Sequence, residues 1–356
     1  MREAESLAQR LGDQQRLGRV WAHLAHCHWW LGDPDRAVEF GNLAHRSAVE
    51  RRDNALDVLA TARLAQAHFT LGEHTRVIEL LGRHIESLGT ETNEGVNVPG
   101  LGAVMYGLFT VLSLTSRGDH RQAKAVSERS YQIAVAADHP VSLAMATMGQ
   151  GIAPLALGDF SEAIRQLEKG LEIVEEKNLD FQRAWTKGFL GHAYVQHGRV
   201  EQGIRLLRQT LEHDAAMNMM MIQPRDLIAL SEAYHLAGRH AEAIEEAQHA
   251  LDLIRVHRQR GWEAYALRVM GEIHGVGQSP DIGAAESYYR GANAIAEELE
   301  MRPLQAHCHL GLGKLAGLAN NPAQAETHIK TAMELYQEMD MAYWFEQASA
   351  AAERWD

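Results

Sequence analysis

Residues 153–164 read APLALGDFSEAI, and this stretch predicts the end of one helix, a tight turn and the start of a second helix. Gly158 can adopt the left-handed conformation that ends a helix. Asp159 can accept hydrogen bonds from the free amide groups of the next helix, and Glu162, three residues further on, completes a capping box. The same turn returns along the chain at Gly32, Gly72, Gly118, Gly198 and Gly238.

Small residues recur at fixed distances from these turns. Seven residues before the turn glycine stand Ala25, Ala65, Gly151, Gly191 and Ser231, followed by Gly271 and Gly311 where the turns are longer. Five residues after the turn glycine stand Ala37, Ala123, Ala163, Gly203 and Ala243. A glycine inside a helix costs about 1 kcal/mol relative to alanine, so close packing of the two helices must offset that cost. The spacing predicts a two-helix repeat of about 40 residues.

We therefore expect an all-α solenoid with eight antiparallel helix pairs between residues 14 and 339, within one domain that spans residues 1–356. Residues 1–12 read as the end of a preceding repeat, so we expect the chain to be a piece of a longer protein. Residues 341–355 are expected to form a capping helix. Residues 89–100 are expected to form a loop, either a surface insertion or a lid over a groove.

Composition and charge narrow the class of protein. Hydrophobic residues make up 46% of the chain and charged residues 23%, which is typical of a folded, soluble protein. The formal net charge of −13 disfavours nucleic acid and membrane surfaces as partners, because both require clustered Lys and Arg. Only Cys27 and Cys308 are present, which suits a reducing compartment. With neither a signal peptide nor an apolar run of membrane-spanning length, the expected location is cytoplasmic.

No motif points to a catalytic residue, a cofactor or a metal. The only Gly-Lys step, at Gly313, is not followed by Ser or Thr and is therefore not a phosphate loop. Residues 311–316 match the dinucleotide fingerprint in form, but they lie within a helix and follow no strand, so their glycines are interpreted as packing positions. The His-Cys-His triplets at 26–28 and 307–309 place their imidazoles about 200° apart on a helix, so neither triplet can close a metal site.

The repeat pattern resembles the tetratricopeptide repeat (TPR) over nearly the whole chain. The resemblance rests on the small residue, an aromatic residue three positions later (Tyr194 or Tyr234), the turn glycine and the small positions after it. The period is longer than the standard of about 34 residues. Residues 157–160, 167–171, 300–313 and 338–344 further resemble the C-terminal repeats of large bacterial predicted ATPases, in which a nucleotide-binding or class III nucleotide cyclase domain precedes the repeats. That group is related in layout to the maltose-type transcription activators.

This resemblance implies a right-handed superhelix with a concave groove lined by the first helix of each pair. The groove positions then lie six and three residues before the small residue, and one and four residues after it. The N-terminal repeats present a Met-rich, apolar lining there, whereas the sixth and seventh repeats present polar residues such as Glu232 and Arg268. The alternative is that these side chains are buried between neighbouring helices. The candidate groove residues are Arg19, His26, Trp29, Leu59, Gln66, Phe69, Met105, Leu108, Met145, Met148, Trp185 and His192.

The function implied by the resemblance is that of a non-catalytic interaction or sensor module in a larger bacterial signalling protein, where it regulates an ATPase or cyclase domain. The expected partner is a protein or peptide in the groove, with a small molecule as an alternative. Two other functions stay open, a receptor for a sugar or metabolite and a free-standing scaffold. The ends of the array also offer a surface for a homodimer.

Overall fold

The computed structural model describes residues 2–85, 102–277 and 280–354, and these ranges contain 18 α-helices and no β-strand. The predicted all-α solenoid is confirmed. The predicted loop at 89–100 lies outside the described residues, as do residues 278 and 279. The helices are α1 (Arg2–Arg10), α2 (Gln14–Trp30), α3 (Pro34–Arg51), α4 (Asn54–Leu71), α5 (His74–Ile85), α6 (Gly102–Arg117), α7 (His120–Ala137), α8 (Pro140–Leu157), α9 (Phe160–Glu176), α10 (Asp180–Gln196), α11 (Val200–Ala216), α12 (Gln223–Leu236), α13 (His240–His257), α14 (Arg260–His274), α15 (Ile282–Glu298), α16 (Arg302–Leu318), α17 (Pro322–Glu338) and α18 (Ala342–Ala352).

Helices α2 to α17 form eight successive pairs, and α18 packs on the last of them. Each helix packs against the next one along the chain, and the first helix of each pair also packs against the first helix of the next pair. The first helices, α2, α4, α6 and so on to α16, therefore form a continuous face, which we call the inner surface.

The small residues lie in close contacts between helices that are adjacent in sequence. Ser231 packs against the second helix of its own pair, as the spacing predicts, whereas Gly311 packs against α15 of the preceding pair. A side-chain carbon added at Gly311 would lie 2.3 Å from Cζ of Tyr289, a distance that no real side chain tolerates. Ser231, at the same place in its own pair, is fully buried and donates its hydroxyl hydrogen to the Ala243 carbonyl at 2.6 Å. The glycines of residues 311–316 are therefore packing positions within α16.

The turn between α8 and α9 has only half of the predicted capping box. Gly158 adopts the left-handed conformation, with φ of 88°, and Asp159 accepts a hydrogen bond from the Glu162 amide at 3.1 Å. The prediction of a reciprocal hydrogen bond from the Asp159 amide to the Glu162 carboxylate is wrong, because this amide donates to the Pro154 carbonyl at 3.0 Å. The Glu162 carboxylate instead accepts hydrogen bonds from Arg165.

The superhelix brings together pairs that are five units apart in the chain. Helix α4 contacts α14, α6 contacts α16, and α8 contacts α18. At the first of these contacts the backbones touch, since a side-chain carbon on Gly72 would lie 2.9 Å from Cα of Gly261. At the exposed rim, Arg258 donates to the Asp35 carboxylate at 2.6 Å. Consecutive turns of the superhelix therefore contact each other, a feature that the repeat pattern alone does not predict.

Helix α8 is long and apolar enough to cross a membrane by length and composition alone, with a mean hydropathy of 1.2 over 18 residues. The expectation that no apolar run reaches this length is wrong for this helix. In the structure α8 packs against α6, α7 and α9, and 61% of its residues are buried inside the solenoid. Its apolar composition is explained by its place as a core helix.

Candidate functional site

The first helices of the five N-terminal pairs surround a cavity of about 250 Å³, which we call the inner cavity. Its wall consists mainly of aromatic rings and apolar side chains. Trp30 of α2 stacks on Phe181 of α10 with 5.3 Å between the ring centroids, and the Trp30 indole donates to the Met217 carbonyl at 3.1 Å. These contacts connect the first pair to the fifth. The lining residues are His26, Trp29, Trp30, Arg63, Gln66, Met105, Leu108, Phe109, Val141, Met145, Met148, Phe181, Gln182 and Trp185.

The inner cavity brings together most of the candidate groove residues. Those that line it are His26, Trp29, Gln66, Met105, Leu108, Met145, Met148 and Trp185. They come from five different helices, so only the stacking of the pairs makes them neighbours. Whether they bind a ligand stays a prediction.

The remaining candidates are Arg19, Leu59, Phe69 and His192, and they lie outside the lining of the cavity. Arg19 is exposed, whereas Leu59 is 2% exposed and packs in the core, as the burial alternative predicts. Phe69 makes an edge contact with Trp262 of the next superhelical turn at 6.2 Å between centroids. His192 Nε2 lies 3.2 Å from the Glu232 carboxylate, in a different part of the inner surface.

The counting rule did not include six residues that line the cavity. They are Trp30, Arg63, Phe109, Val141, Phe181 and Gln182. Each lies three or four residues from a predicted position on its own helix, as Arg63 does from Gln66 and Phe181 from Trp185. Residues at this spacing share one face of a helix. Adding the residues three and four positions before and after each predicted groove residue would have included them.

Among the described residues that line the inner cavity, only Arg63 carries a permanent charge, and its side chain is almost fully buried, with 3% exposed. Its Nη1 donates to Gln66 Oε1 at 2.9 Å and lies 3.0 Å from His26 Nδ1, while its buried Nε has no partner. It forms no ion pair with any carboxylate in the described parts of the chain. Burial lowers the pKa of Arg63 to about 10, against an opposing effect of Cys27, so the guanidinium is still charged at neutral pH.

Two other polar side chains of the inner cavity, His26 and Trp185, carry a hydrogen-bond donor. Burial, and next the charge of Arg63, lower the pKa of His26 to about 3, so its ring is neutral at pH 7. Because the Nδ1 atom of His26 accepts from Arg63, its proton lies on Nε2. The indole Nε1 of Trp185 is buried without a partner. The cavity therefore presents unmatched donors and one unmatched positive charge in an apolar wall.

The C-terminal pairs carry a second arginine with little solvent exposure, in a group that we call the Arg268 cluster (Glu232, Arg268 and Glu272). Arg268 donates to Glu232 at 3.0 Å and also to Glu272. Burial opposes ionisation of Glu232, but Arg268 and His192 outweigh it, and the pKa of Glu232 lies well below its usual range. Glu232 and Arg268, the polar residues that the sequence places on the sixth and seventh repeats, are thus paired with each other.

The two His-Cys-His triplets hold their imidazoles apart, in line with their helical spacing. His26 faces the inner cavity, whereas His28 Nδ1 lies 3.2 Å from the Asp33 carboxylate. His307 Nδ1 lies 2.7 Å from the Tyr336 hydroxyl. Within the described ranges, no group of three or more His, Cys, Asp or Glu side chains could hold a metal ion.

Comparisons with known proteins agree with this architecture. Residues 190–255 match the profile of the tetratricopeptide repeat family. No curated protein matches the chain in sequence. Among solved structures, the Rap conjugation gene regulator of the plasmid pLS20, in complex with a Phr peptide, is similar with a TM-score of 0.64 and 12% identity over 91% of this chain and 96% of that one.

Two further solved structures have the same type of fold. A Rap protein complexed with Competence and Sporulation Factor gives a TM-score of 0.59 and 13% identity over 95% of this chain and 98% of that one. PlcR of Bacillus thuringiensis, in complex with the peptide PapR7 and DNA, gives a TM-score of 0.50 and 15% identity over 67% of this chain and 98% of that one. Because these identities are low, the likeness concerns the fold alone, which is that of a helical repeat solenoid.

Proposed function

We propose that this chain is a non-catalytic sensor and interaction module whose inner cavity binds a ligand. The observation that carries the proposal is the cavity of about 250 Å³, with one charged side chain in a mainly apolar wall. Small-molecule sites generally combine a mostly apolar lining with a few polar groups that orient the ligand. Solenoid cores are normally close-packed, so an open space of this kind at the centre of five helix pairs supports a binding role.

The geometry suggests how occupancy of the cavity is passed on to a partner. A ligand in the inner cavity touches α2, α4, α6, α8 and α10 together. The same pairs contact the next superhelical turn, for example through Gly72 and Gly261. If the solenoid exists in conformations that differ in superhelical pitch, a ligand that binds one of them more tightly increases the population of that conformation. A partner that contacts several pairs would then distinguish the bound solenoid from the free one.

The size of the cavity limits the ligand. It is smaller than the range of roughly 300–1,000 Å³ that is common for drug-sized ligands, which favours a small molecule or the end of a peptide. A peptide is the second candidate, because the two similar Rap structures are complexes with a Phr peptide and with Competence and Sporulation Factor.

We also propose that the regulated partner is a nucleotide-binding or cyclase domain of the same polypeptide in the bacterial cytoplasm. The support is the resemblance of residues 157–160 and 338–344 to the repeat regions of bacterial ATPases. The gene itself tests this proposal. A phosphate loop encoded in frame upstream of Met1 would support it, and a stop codon followed directly by a ribosome-binding sequence would overturn it in favour of a free-standing scaffold.

The ligand proposal can be tested with the tryptophans of the cavity. Trp29, Trp30 and Trp185 line it, so ligand binding should change intrinsic fluorescence and raise the melting temperature. We expect hits from libraries of metabolites and short peptides, and we expect Met145→Phe, which narrows the cavity, to lose them. Met333→Phe lies outside the cavity and is the matched control. Absence of any hit in the wild type would overturn the sensor proposal.

A further inference from the structure

The charge of Arg63 defines the chemistry of the ligand, on the basis of the function proposed above. We infer that the inner cavity binds an apolar carboxylate, a compound with an aromatic or aliphatic body that ends in a single carboxylate group held by Arg63. The inference depends on three features of the cavity: a guanidinium without a counter-charge, further hydrogen-bond donors on Trp185 and His26, and a wall of aromatic rings.

Arg63 differs from Arg225 and Arg268, two largely covered arginines of the inner surface, because it has no counter-charge. Arg225 lies 2.7 Å from the Asp226 carboxylate, and Arg268 is bound by Glu232 and Glu272. Burying a charge without a partner costs free energy, so proteins normally pair such groups. An anionic ligand would supply the partner that the described parts of the chain do not.

The free edge of the Arg63 guanidinium matches a carboxylate. Its Nη1 is taken by Gln66 and His26, which leaves the edge formed by Nε and Nη2 without a hydrogen bond to the described residues. A guanidinium edge binds a carboxylate through two parallel hydrogen bonds. The unpartnered indole N–H of Trp185 and the Nε2–H of His26 line the same cavity and can donate to the ligand as well.

The remaining wall accommodates an apolar body and disfavours other ligand charges. The rings of Trp29, Phe109 and Trp185 contact one another with centroids 6.1–6.4 Å apart, and Met105 and Met148 add flexible thioethers. A cationic ligand would be repelled by Arg63. A phosphate or dicarboxylate would bring two charges to one cation, because His26 is neutral. A monocarboxylate leaves no unmatched charge.

The chemistry can come from a free carboxylic acid or from the C-terminus of a peptide, and the probes separate the two. We would titrate 3-phenylpropionate, as a free acid, and N-acetylphenylalanine, as a C-terminal residue, together with the amide of each compound. Tryptophan fluorescence and melting temperature are the readouts. At least one acid is expected to bind, and its amide is expected to bind tenfold or more weakly.

Variants assign the effect to the guanidinium. Arg63→Gln is expected to lose tenfold or more in affinity for the acid but not for the amide, whereas Arg63→Lys should retain part of the preference because it keeps the charge without the two-bond geometry. Arg36→Gln, on the exposed side of α3, is the matched control and should bind like the wild type. Circular dichroism checks that each variant is folded.

Each outcome decides the inference. Preference for N-acetylphenylalanine over 3-phenylpropionate supports a peptide C-terminus, and the reverse supports a free acid. Equal binding of acids and amides, unchanged binding by Arg63→Gln, or no response to either acid up to about 10 mM overturns the carboxylate assignment. A library hit without a carboxylate would, in that case, keep the sensor function and remove only its assigned ligand class.

Discussion

Arg63 in the N-terminal half of the inner surface and Arg268 in the C-terminal half are both buried, but their environments are opposite. Arg268 lies between two carboxylates, whereas Arg63 has only neutral hydrogen-bond partners and borders an open cavity. Both arginines lie on first helices, α14 and α4, that contact each other across the superhelical turn. The comparison shows that a buried charge does not identify a binding site by itself. The missing counter-charge and the free volume beside it do.

The largest expected effect is the loss of stability in Arg268→Met. The substitution leaves the buried Glu232 and the partly buried Glu272 without their cation, which should lower the free energy of unfolding by about 3–5 kcal/mol. Urea denaturation measures it. Arg290→Met removes an exposed pair with Glu286 on α15 and should cost less than about 1 kcal/mol. If Arg268→Met loses as little stability as Arg290→Met, the ion pairs of Arg268 are not important for stability, and the contrast with Arg63 does not hold.

The second effect is acid sensitivity, to which two buried histidines of the N-terminal half contribute. His74 and His120 are each 4% exposed, and burial lowers the pKa of each to about 4. Their unfolded pKa is about 6.5, so the unfolded state binds more protons between pH 6.5 and 4 and stability falls as the pH drops through this window. At pH 5 the loss is about 2 kcal/mol for each histidine.

Melting temperatures at pH 7.5 and pH 5 test this effect. His120→Leu should reduce the difference between the two values, because a neutral apolar side chain takes up no proton. His249→Leu, at an exposed position of α13, should leave the difference unchanged. If His120→Leu melts with the same pH dependence as the wild type, the acid sensitivity has another origin.

The third effect concerns the contact that joins the two halves. Gly261→Ala places a methyl group 3.0 Å from Cα of Gly72, where the backbone of α14 cannot move without loosening the superhelical turn. A loss of about 1–3 kcal/mol is expected. Gly283→Ala occupies the same second position of α15, where the added carbon meets only Asp281 at 3.7 Å. This control should be neutral or slightly stabilising, and equal behaviour of the two variants in thermal denaturation would contradict the contact.

The smallest expected effect is a gain in stability instead of a loss, and it tests the comparison between Arg63 and Arg268 most directly. Arg63→Met removes a buried charge that has no counter-charge, so the free protein should be as stable as the wild type or more stable by about 1 kcal/mol. Thermal denaturation without ligand measures it. A loss of more than about 2 kcal/mol would show that Arg63 has a structural role like that of Arg268.

The fold was largely predictable because its signals are local. The left-handed turn at Gly158 and the small side chains at Ser231 and Gly311 act on helices that are adjacent in sequence, so their spacing predicts the helix pairs directly. One of the two hydrogen bonds predicted for the capping box is absent, and the reason is also local: the Asp159 amide donates to a carbonyl of the preceding helix instead.

The candidate site was predictable only in part. Counting from the small residue included His26 and Trp185, because the inner face of each helix follows from its period. The same rule included Leu59, which is buried in the core, and Arg19, which is exposed. The rule does not describe the angle at which one helix pair packs on the next, and this angle decides which side chains are buried. Arg63 was missed because a single arginine in an apolar stripe carries no sequence signal of whether a carboxylate faces it.

The amino-acid sequence by itself determined that the chain forms helices, where they turn, and which small residues let them pair, since these features depend on neighbours within about forty residues. Only the tertiary structure decided that the first pair meets the fifth and sixth, that a cavity stays open between them, and that Arg63 has no counter-charge there. Small rotations between successive pairs add up along the solenoid, so the contacts between distant pairs depend on all of the intervening helices together.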